Sequence, residues 1–514
     1  TEVTSVKTTV GPEQEYFLVD KELYKKRPDL INSGRTLFGA KPPKGQELDD
    51  HYFGVIKPRV LAFMKDLNVE LWKLGIFCKT EHNEVAPAQH EMAPVFATCN
   101  IAADHNQLTM EMMKKVADRH GLVCLLHEKP FASVNGSGKH NNWSLSTDTG
   151  MNLLEPGDTP RQNAQFLLFL TAVIEAVDDY QDMLRTTVAI PGNDHRLGAN
   201  EAPPAIISMF VGDELAGVID SIVNGTDYTG KEKGVLSIGV HVLPKIPKDT
   251  TDRNRTSPFA FTGNKFEFRS LGSSQSISGP NVVINTAVAD CLARYADELE
   301  AAEDFTKTLS DLVTRTLKAH TRIIFNGNNY ALSWPEEAMK RGLCNYPTSV
   351  DALPQYVAEK NIALFERHKV FTRTEMNIRY DIHLENYVKV LSIEALSMLD
   401  IARHLILPAA FAYAKDVAKE MTLKKSLGFN PEAESALMHE LTDATNGTAR
   451  MTEALAAAMA KQDNSAEMLA QAQYVRDRVV PAMADLRACA DELETLVGKD
   501  YWPMPTYQEL LSNI

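Results

Sequence analysis

The chain has 514 residues, and its 68 acidic and 53 basic side chains give a formal net charge of −15. This balance argues against nucleic acid or an anionic membrane as the main partner, because both bind clustered Lys and Arg. With 44% hydrophobic residues and no apolar run of about 18 residues, the sequence predicts a soluble globular protein with a small polar substrate. The cysteines lack C-x-x-C spacing, so we expect reduced thiols and a cytoplasmic location.

The chain begins with TEVTSVKTTVGPEQEYFLVD, without an initiator methionine, and leads directly into a predicted strand. We therefore expect a processed or truncated product that lacks an N-terminal domain. Removal of a methionine before Thr1 is the simpler alternative for the same start.

Residues 1–280 alternate β-branched and aromatic runs with loops rich in Gly, Pro and Asn, which predicts an α+β fold with a large sheet. Apolar residues at helical spacing in 101–120 and 161–184 predict helices outside that sheet. Residues 281–385 are strand-poor and amphipathic, and we expect a helical continuation of the same domain. Residues 386–514 are predicted to form a helical extension, in which MTEALAAAMAKQ and AEMLAQAQYVRDRV indicate a helical hairpin.

The first segment with candidate chemistry is GPEQEYF. Glu13 and Glu15 lie two residues apart in a predicted strand and therefore project from one face. An exposed strand carries such a pair harmlessly. The apolar residues that follow indicate a strand buried on both faces, however, and paired buried carboxylates need a cation.

The second segment is KTEHNEVAPAQHEMAP. Glu84 and Glu91 are seven residues apart and would face opposite ways on one continuous strand. They converge only through a turn, and Pro87 favours a turn because its ring fixes φ and restricts the residue before it. The segment is a candidate metal site, although an ordinary polar hairpin has the same composition.

Two further segments combine glycine or strand geometry with charged groups. In ASVNGSGKHNNWSL, glycines let the backbone approach a ligand and His140 follows at once. In KFEFRS, Lys265, Glu267 and Arg269 share one strand face, which fits either a salt-bridge network or a carboxylate on a cation with basic groups on phosphate. The loops HRLGANEAPP and DRNRTSPF add Arg196, Glu201 and Arg255.

Carboxylates and one histidine, without thiolates, favour Mg²⁺ or Mn²⁺ over zinc. Carboxylates beside several arginines are typical of phosphoryl transfer, in which cations and guanidinium groups neutralise developing charge. In order and content these segments resemble the glutamine synthetases over residues 11–270. The segment NNYALSWPEEAMKRGL and the helical C-terminus resemble the type III branch of that family.

The resemblance implies a large curved antiparallel-sheet catalytic domain with outer helices and a mainly helical C-terminal extension. It implies ATP-dependent ligation of glutamate and ammonia through γ-glutamyl phosphate, with ATP and Mg²⁺ or Mn²⁺ as cofactors. It also implies a homo-oligomer of hexameric rings, possibly a dodecamer. Two adjacent cation sites are implied, one at Glu15, Glu84 and Glu91 and the other at Glu13, His140 and Glu267.

The same resemblance assigns substrate and catalytic positions, which fall on loops and strand ends. The binding positions are Asn135, Gly136, Arg196 and Arg269 for glutamate, Arg255 and Lys265 for phosphate, and Phe96 and Ser144 for adenine. Glu201 is implied as the flap carboxylate that takes a proton from ammonium. Glu201 and Arg255 are the two implied catalytic residues.

Two positions depart from the commoner type I pattern. Asn142 stands in place of a second histidine, and Ala260 in place of a second arginine, so the phosphate contacts are expected to differ. Two alternatives stay open on the sequence alone. One is a γ-glutamyl amine or polyamine ligase of the same fold, and the other is a non-catalytic structural relative, although all the expected cation ligands are present.

Overall fold

The computed structural model describes residues 2–199, 202–228 and 254–514, with the backbone of two short strands between the last two ranges. Glu201 lies outside the described residues. The strands are β1 (Val6–Pro12), β2 (Gln14–Asp20), β3 (Cys78–Asn83), β4 (Gln89–Pro94), β5 (Ala97–Thr98), β6 (Leu122–Leu125), β7 (Gly138–Thr147), β8 (Met209–Phe210), β9 (Val235–Leu236), β10 (Ile246–Pro247), β11 (Phe259–Phe261) and β12 (Phe266–Gly272).

Helices connect the strands and make up nearly all of the C-terminal part. They are α1 (Lys21–Tyr24), α2 (Pro28–Ser33), α3 (Pro58–Lys73), α4 (Cys99–Arg119), α5 (Ala164–Asp179), α6 (Gln181–Thr186), α7 (Pro191–Arg196), α8 (Gly212–Asn224), α9 (Ser278–Glu300), α10 (Phe305–His320), α11 (Trp334–Lys340), α12 (Ser349–Ala352), α13 (Glu359–Arg367), α14 (Arg373–Ile401), α15 (Leu407–Ser426), α16 (Glu432–Ala460), α17 (Met468–Tyr474), α18 (Val480–Leu496) and α19 (Tyr507–Ser512).

Two sheets carry the candidate site. The larger has the strand order β5-β1-β7-β12-β11-β8, and the smaller has the order β3-β4-β2-β6. In these two sheets only the β11–β8 pair is parallel among the described strands. The predicted α+β fold with antiparallel sheets is therefore confirmed, and its sheet is divided in two.

The division falls at Glu13. This residue alone separates β1 of the larger sheet from β2 of the smaller. Its backbone N–H donates to the carbonyl of His140 in β7, at 3.0 Å, so the crossing point is tied to the larger sheet. The two sheets therefore meet where the sequence has its first pair of carboxylates.

The predicted helices are present where apolar periodicity and capping agree. The helix predicted over 101–120 corresponds to α4, and the one over 161–184 corresponds to α5 and α6. The side chain of Asn163 caps α5 by accepting from the N–H of Phe166, at 3.0 Å. The predicted hairpin is formed by α16 and the helical segment that begins with α17.

Two long helices contain a π-helical turn that the sequence analysis did not predict. One turn, Ala402–Ile406, joins α14 to α15, and the other, Val475–Val479, joins α17 to α18. Each is followed within two residues by a proline, Pro408 or Pro481. Proline lacks an N–H and its ring clashes with the preceding turn, so the helix widens there instead of stopping.

The C-terminal helices form a hydrophobic core of their own, centred on α14, α16 and α18. The division at residues 280 and 385 stays a prediction. The last helix, α19, leaves this core and packs behind β2, where Tyr507 and Leu510 contact the cluster of Phe17 and Val19. In the described part of the chain, no helix has the length and apolarity needed to cross a membrane.

A buried ion pair fastens the C-terminal segment to the first domain. The Nη2 of Arg27 lies 2.6 Å from the Oδ2 of Asp29, and both side chains are almost fully buried. Arg27 also donates to the carbonyls of Phe38, at 2.6 Å, and Pro505, at 2.7 Å. Burial alone would raise the pKa of Asp29, but the ion pair with Arg27 lowers that pKa below its ordinary value.

We expect Arg27→Met to destabilise the protein by about 3–5 kcal/mol, because Asp29 would become an unpaired buried charge. Urea unfolding followed by tryptophan fluorescence would show a lower midpoint. The matched control is Lys340→Ala, which removes an exposed partner of Glu336 and should change stability by about 0.5 kcal/mol or less. Equal midpoints for the two variants would contradict the prediction.

Candidate active site

A cleft of ≈ 840 Å³ opens over the junction of the two sheets. All the residues predicted as cation ligands line it, together with four residues predicted to contact nucleotide or phosphate and one predicted to contact glutamate. These are Glu13, Glu15, Glu84, Glu91, His140 and Glu267, then Phe96, Ser144, Arg255 and Lys265, and finally Arg269.

Three of the predicted ligands form one group on the larger sheet. The Nδ1 of His140 lies 3.1 Å from the Oε2 of Glu13 and 3.0 Å from the Oε1 of Glu267. Their ligand atoms all lie within 4.8 Å of one another. The strand register explains the grouping, since Glu267 pairs across the sheet with Asn142, two residues beyond His140.

The charges in this group are shifted by their neighbours. Burial alone would lower the pKa of His140, but hydrogen bonds to Glu13 and Glu267 raise it well above its ordinary value. Burial alone would raise the pKa of Glu267, but the hydrogen bond from His140 and the charge of Arg269 lower it. Without a cation, the imidazolium is thus the positive charge between two carboxylates.

The second group lies on the smaller sheet. Glu15 on β2 is paired in register with Glu91 on β4, and Glu91 is paired with His82 on β3. The Nε2 of His82 lies 3.0 Å from the Oε1 of Glu91, and its Nδ1 lies 3.6 Å from the Oε1 of Glu84. His82, Glu84 and Glu91 have ligand atoms within 4.8 Å of one another.

A tight turn brings Glu84 to this group. The N–H of Gln89 donates to the carbonyl of Ala86, and the N–H of Glu84 donates to the carbonyl of Gln89. Pro87 occupies the second position of the turn, and Ala88 the third position with φ 64°, as a type II turn requires. The structure therefore has the turn that the sequence predicted between Glu84 and Glu91.

Burial and crowding keep protons in the second group. Burial, with the charge of Glu91 adding to it, raises the pKa of Glu15 to about 7. Burial also raises the pKa of Glu91. The hydrogen bond to Glu91 raises the pKa of His82 to about 9. The group carries too much negative charge to be fully ionised without a cation.

A third carboxylate–histidine group, outside the cleft, differs from the first two. Glu175, Asp179 and His320 have ligand atoms within 4.8 Å of one another. Glu175 is already paired with Arg294, at 2.9 Å, and His320 with Asp178, at 2.8 Å. We interpret this group as an ion-pair network whose charges are neutralised within the protein.

Three residues predicted to hold glutamate, Asn135, Gly136 and Arg196, are not among the residues that line the cleft. The side chain of Asn135 accepts from Gln46, at 2.7 Å, and is buried. Gly136 has no room for a side chain, because a Cβ would lie 2.3 Å from the carbonyl oxygen of Glu128 and 3.0 Å from the Cγ of Arg196. Packing therefore requires this glycine, in addition to any ligand.

The two predicted glutamate-binding arginines are more buried than expected. Arg196 is 3% exposed and donates to the carbonyl of Leu271, at 3.3 Å, while its Nε has no partner among the described residues. Arg269 is also 3% exposed, and its guanidinium lies 3.1 Å from Glu267 and 3.4 Å from the carbonyl of Ser257. Arg269 thus supports a predicted cation ligand directly.

The predicted nucleotide side is at the other end of the cleft. The Phe96 ring is 68% exposed. The hydroxyl of Ser144 lies within hydrogen-bonding distance of two acceptors, the carbonyl oxygen of Asn264, at 2.9 Å, and the side-chain oxygen of Asn152, at 3.0 Å. Arg255 is exposed and Lys265 is half-buried at the rim. Ser144 lies on β7, the strand of His140, and Lys265 immediately precedes β12, the strand of Glu267.

The sequence analysis missed Tyr52 and did not assign His82 as a ligand. The two rings meet edge-to-face with centroids 6.0 Å apart, and both line the cleft. Tyr52 lies in an irregular loop without periodicity, so only the fold reveals its place. Asn142, noted as a departure, donates to the Oε1 of Glu13, at 3.1 Å, and Ala260 is paired with Glu267 across β11 and β12.

Two family models match the chain, the glutamine synthetase catalytic domain over residues 2–189 and the glutamine synthetase C-terminal domain over residues 308–425. A Dictyostelium discoideum protein described as type-3 glutamine synthetase is 48% identical over 98% of this chain and 70% of its own length. The chain belongs to the glutamine synthetase family. Glutamine synthetases of Butyrivibrio fibrisolvens and Bacteroides fragilis are 50% and 43% identical, over 100% and 99% of this chain and 74% and 72% of theirs.

The family predicted from the ordered motifs is therefore confirmed, and with it the enzyme class. This glutamine synthetase is a glutamate–ammonia ligase that makes glutamine at the expense of ATP. The similarity to the type-3 protein of Dictyostelium extends over nearly the whole chain, in agreement with the type III resemblance. The roles of individual residues stay predictions.

We expect Mn²⁺ to bind this glutamine synthetase more tightly at pH 8 than at pH 6.5. In the cation-free cleft burial raises the pKa of Glu15 to about 7, so this carboxyl is mostly protonated at pH 6.5 and mostly ionised at pH 8, whereas His82, with a pKa of about 9, keeps its proton at both pH values. At pH 6.5 a divalent cation must therefore displace the proton of Glu15. Calorimetry in buffers of different ionisation enthalpy would measure the released protons. A Kd that does not change with pH would contradict the prediction.

Proposed function

We propose that the cleft at the junction of the two sheets is the active site of this glutamine synthetase and that two divalent cations, Mg²⁺ or Mn²⁺, bind side by side within it. The observation that carries the proposal is the pair of carboxylate–histidine groups on adjoining sheets, which line one cleft. Glu15, Glu84 and Glu91 would hold one cation, and Glu13, His140 and Glu267 would hold the other.

The donor atoms fit these ions. Each set offers mainly carboxylate oxygens, which Mg²⁺ and Mn²⁺ prefer, and no thiolate lines the described part of the cleft. Burial raises the pKa values of Glu15 and Glu91, and a bound cation would favour their ionised forms. When bound, the cations would neutralise the negative charge that develops on the transferred phosphoryl group.

The side chains around the cations have separate tasks in this proposal. Phe96 and Ser144 contact adenine, while Arg255 and Lys265 contact phosphate oxygens. Glutamate lies near Asn135 and Gly136, with the buried charges of Arg196 and Arg269 drawing its carboxylates toward the sheet. An oxygen of the glutamate γ-carboxylate then attacks the γ-phosphorus of ATP, and ADP leaves with the bonding electron pair.

In the second step ammonia attacks the carbonyl carbon of γ-glutamyl phosphate, and inorganic phosphate leaves. Ammonium must first lose a proton, and we propose Glu201 as the group that accepts it. Water has to be kept from the acyl phosphate, because it would hydrolyse the intermediate without forming glutamine. Phosphate release and glutamine formation are therefore equal only when the site excludes water.

An amine or polyamine ligase and a non-catalytic relative are both disfavoured. The relatives that match across nearly the whole chain carry the name glutamine synthetase, and none of the six proposed cation ligands is missing. We propose a cytoplasmic enzyme, supported by six cysteines that are all unpaired. A homo-oligomer of hexameric rings, possibly a dodecamer, is supported by exposed apolar side chains beside the cleft, such as Phe53 and Val55, which are 82% and 90% exposed.

The central test is phosphate release from ATP in the presence of glutamate and Mg²⁺, with and without ammonium. We expect ammonium-dependent release that Glu267→Gln lowers by at least about 100-fold, because one cation site loses a charged ligand. The matched control is Glu111→Gln, which removes only an exposed partner of Lys115. Equal activity of the two variants would contradict the proposed cation site.

The proposed role of Glu201 predicts a difference between amines. Hydroxylamine is neutral near pH 7 and needs no proton acceptor before it attacks, whereas ammonium does. We therefore expect Glu201→Gln to lower glutamine formation from ammonium about 10²- to 10⁴-fold and to lower γ-glutamyl hydroxamate formation far less. A colorimetric hydroxamate assay beside a glutamine assay measures both rates. Equal losses with both amines would contradict the role.

A further inference from the structure

The turn Asn326–Tyr330 lies between two loops that carry proposed catalytic residues. The side chain of Asn326 accepts from the N–H of Val211, at 3.1 Å. The side chain of Asn254 donates to the carbonyl of Gly327, at 2.6 Å. The turn thus joins the segment after Glu201 to the segment that contains Arg255.

Asn329 makes the tightest of these connections. It is 3% exposed, and its side-chain oxygen accepts from the hydroxyl of Ser208, at 2.8 Å. Its backbone N–H donates to the hydroxyl oxygen of Thr256, at 2.9 Å. Thr256 directly follows Arg255, so Asn329 holds the backbone beside a proposed phosphate contact.

Tyr330 makes the corresponding connection on the other side. Its hydroxyl donates to the carbonyl of Ala202, at 2.9 Å. Ala202 is buried, and the same carbonyl accepts from the N–H of Gly198, at 3.2 Å. Ala202 directly follows Glu201 in the chain, so the phenol fixes the backbone beside the proposed proton acceptor.

We propose that Tyr330 and Asn329 are positioning residues of the glutamine synthetase reaction, with Tyr330 acting through Ala202 on the ammonia step and Asn329 acting through Thr256 on the phosphoryl-transfer step. The inference rests on the proposed function, because it assigns Glu201 and Arg255 to those steps. Neither Tyr330 nor Asn329 is proposed to contact substrate. Each holds the backbone next to a residue that does.

A purely structural role would predict something else. If the turn served only stability, removal of either contact would lower the melting temperature and the apparent kcat and would leave both KM values unchanged. A positioning role predicts that each contact affects the KM of one substrate more than that of the other. The decisive measurement is therefore whether each variant changes the KM for ammonium or the KM for ATP.

The first variant is Tyr330→Phe, which removes only the hydroxyl. Its matched control is Tyr474→Phe, since Tyr474 also donates to a backbone carbonyl, that of Ala458 at 2.9 Å, in the C-terminal hairpin. We expect Tyr330→Phe to raise the KM for ammonium about 3- to 10-fold, the loss of one hydrogen bond, with the KM for ATP unchanged. Phosphate release should also exceed glutamine formation, because misplaced Glu201 delays ammonia attack and water competes.

The second variant is Thr256→Val, which at nearly constant volume removes the acceptor of the Asn329 N–H and the hydroxyl that donates to the side-chain oxygen of Asn254, at 2.6 Å. We expect the KM for ATP to rise about 3- to 10-fold, while the KM for ammonium and the ratio of phosphate to glutamine stay at the wild-type values. Thermal melting of each purified full-length variant separates these effects from loss of folded protein.

Opposite selectivity of the two variants, with Tyr474→Phe unchanged, supports the inference. The inference is overturned if Tyr330→Phe behaves like Tyr474→Phe, or if both active-site variants change both KM values by the same factor. A wild-type enzyme that forms glutamine while Glu201→Gln and Arg255→Ala remain fully active would overturn the proposed roles themselves. That outcome is distinguishable because it does not involve Asn329 or Tyr330.

Discussion

Repulsion among buried carboxylates is the constraint on which the candidate site depends. Glu15, Glu91 and Glu267 are each less than a tenth exposed, and the cleft gathers them within one cavity. Such an arrangement persists only if positive charge is supplied, by protonated histidine or by a cation. The raised pKa values of His140 and His82 keep these imidazoles protonated beside the carboxylates when no cation is bound, and a divalent ion in the proposed sites would supply that positive charge instead.

The two-sheet architecture creates this crowding. Because a single residue, Glu13, separates β1 from β2, and both are interior strands of their sheets, the larger and smaller sheets are joined end to end beneath the cleft. Ordinary strand pairing then brings Glu267 beside β7 and Glu91 beside Glu15. A rigid scaffold therefore holds the charges, and the arginines behind it, Arg196 and Arg269, are immobilised by backbone carbonyls. The chemistry needs little movement from these groups.

Local sequence patterns predicted much of this arrangement. The Glu84 to Glu91 turn followed from spacing and Pro87, and the helical hairpin followed from composition. The same patterns do not specify which strand neighbours which, so His82 as a partner of Glu91, and Tyr52 in a loop, became visible only in three dimensions. The ion pair of Arg269 with Glu267 was one of two alternatives that the sequence left open, because an arginine two residues along a strand from a carboxylate can face either substrate or that carboxylate. The π turns escaped because proline usually ends a helix and here only widens it.

The packing of α19 behind β2 has a consequence for biosynthesis. Glu15, Phe17 and Val19 project from one face of β2, and Tyr507, Leu510 and Leu511, which bury Phe17 and Val19 on that face, leave the ribosome long after this strand. Contacts of such high sequence separation form late and slow folding. The apolar face of β2 therefore stays uncovered throughout synthesis. Because of that exposed face, the nascent chain is the state most exposed to aggregation and most in need of chaperones.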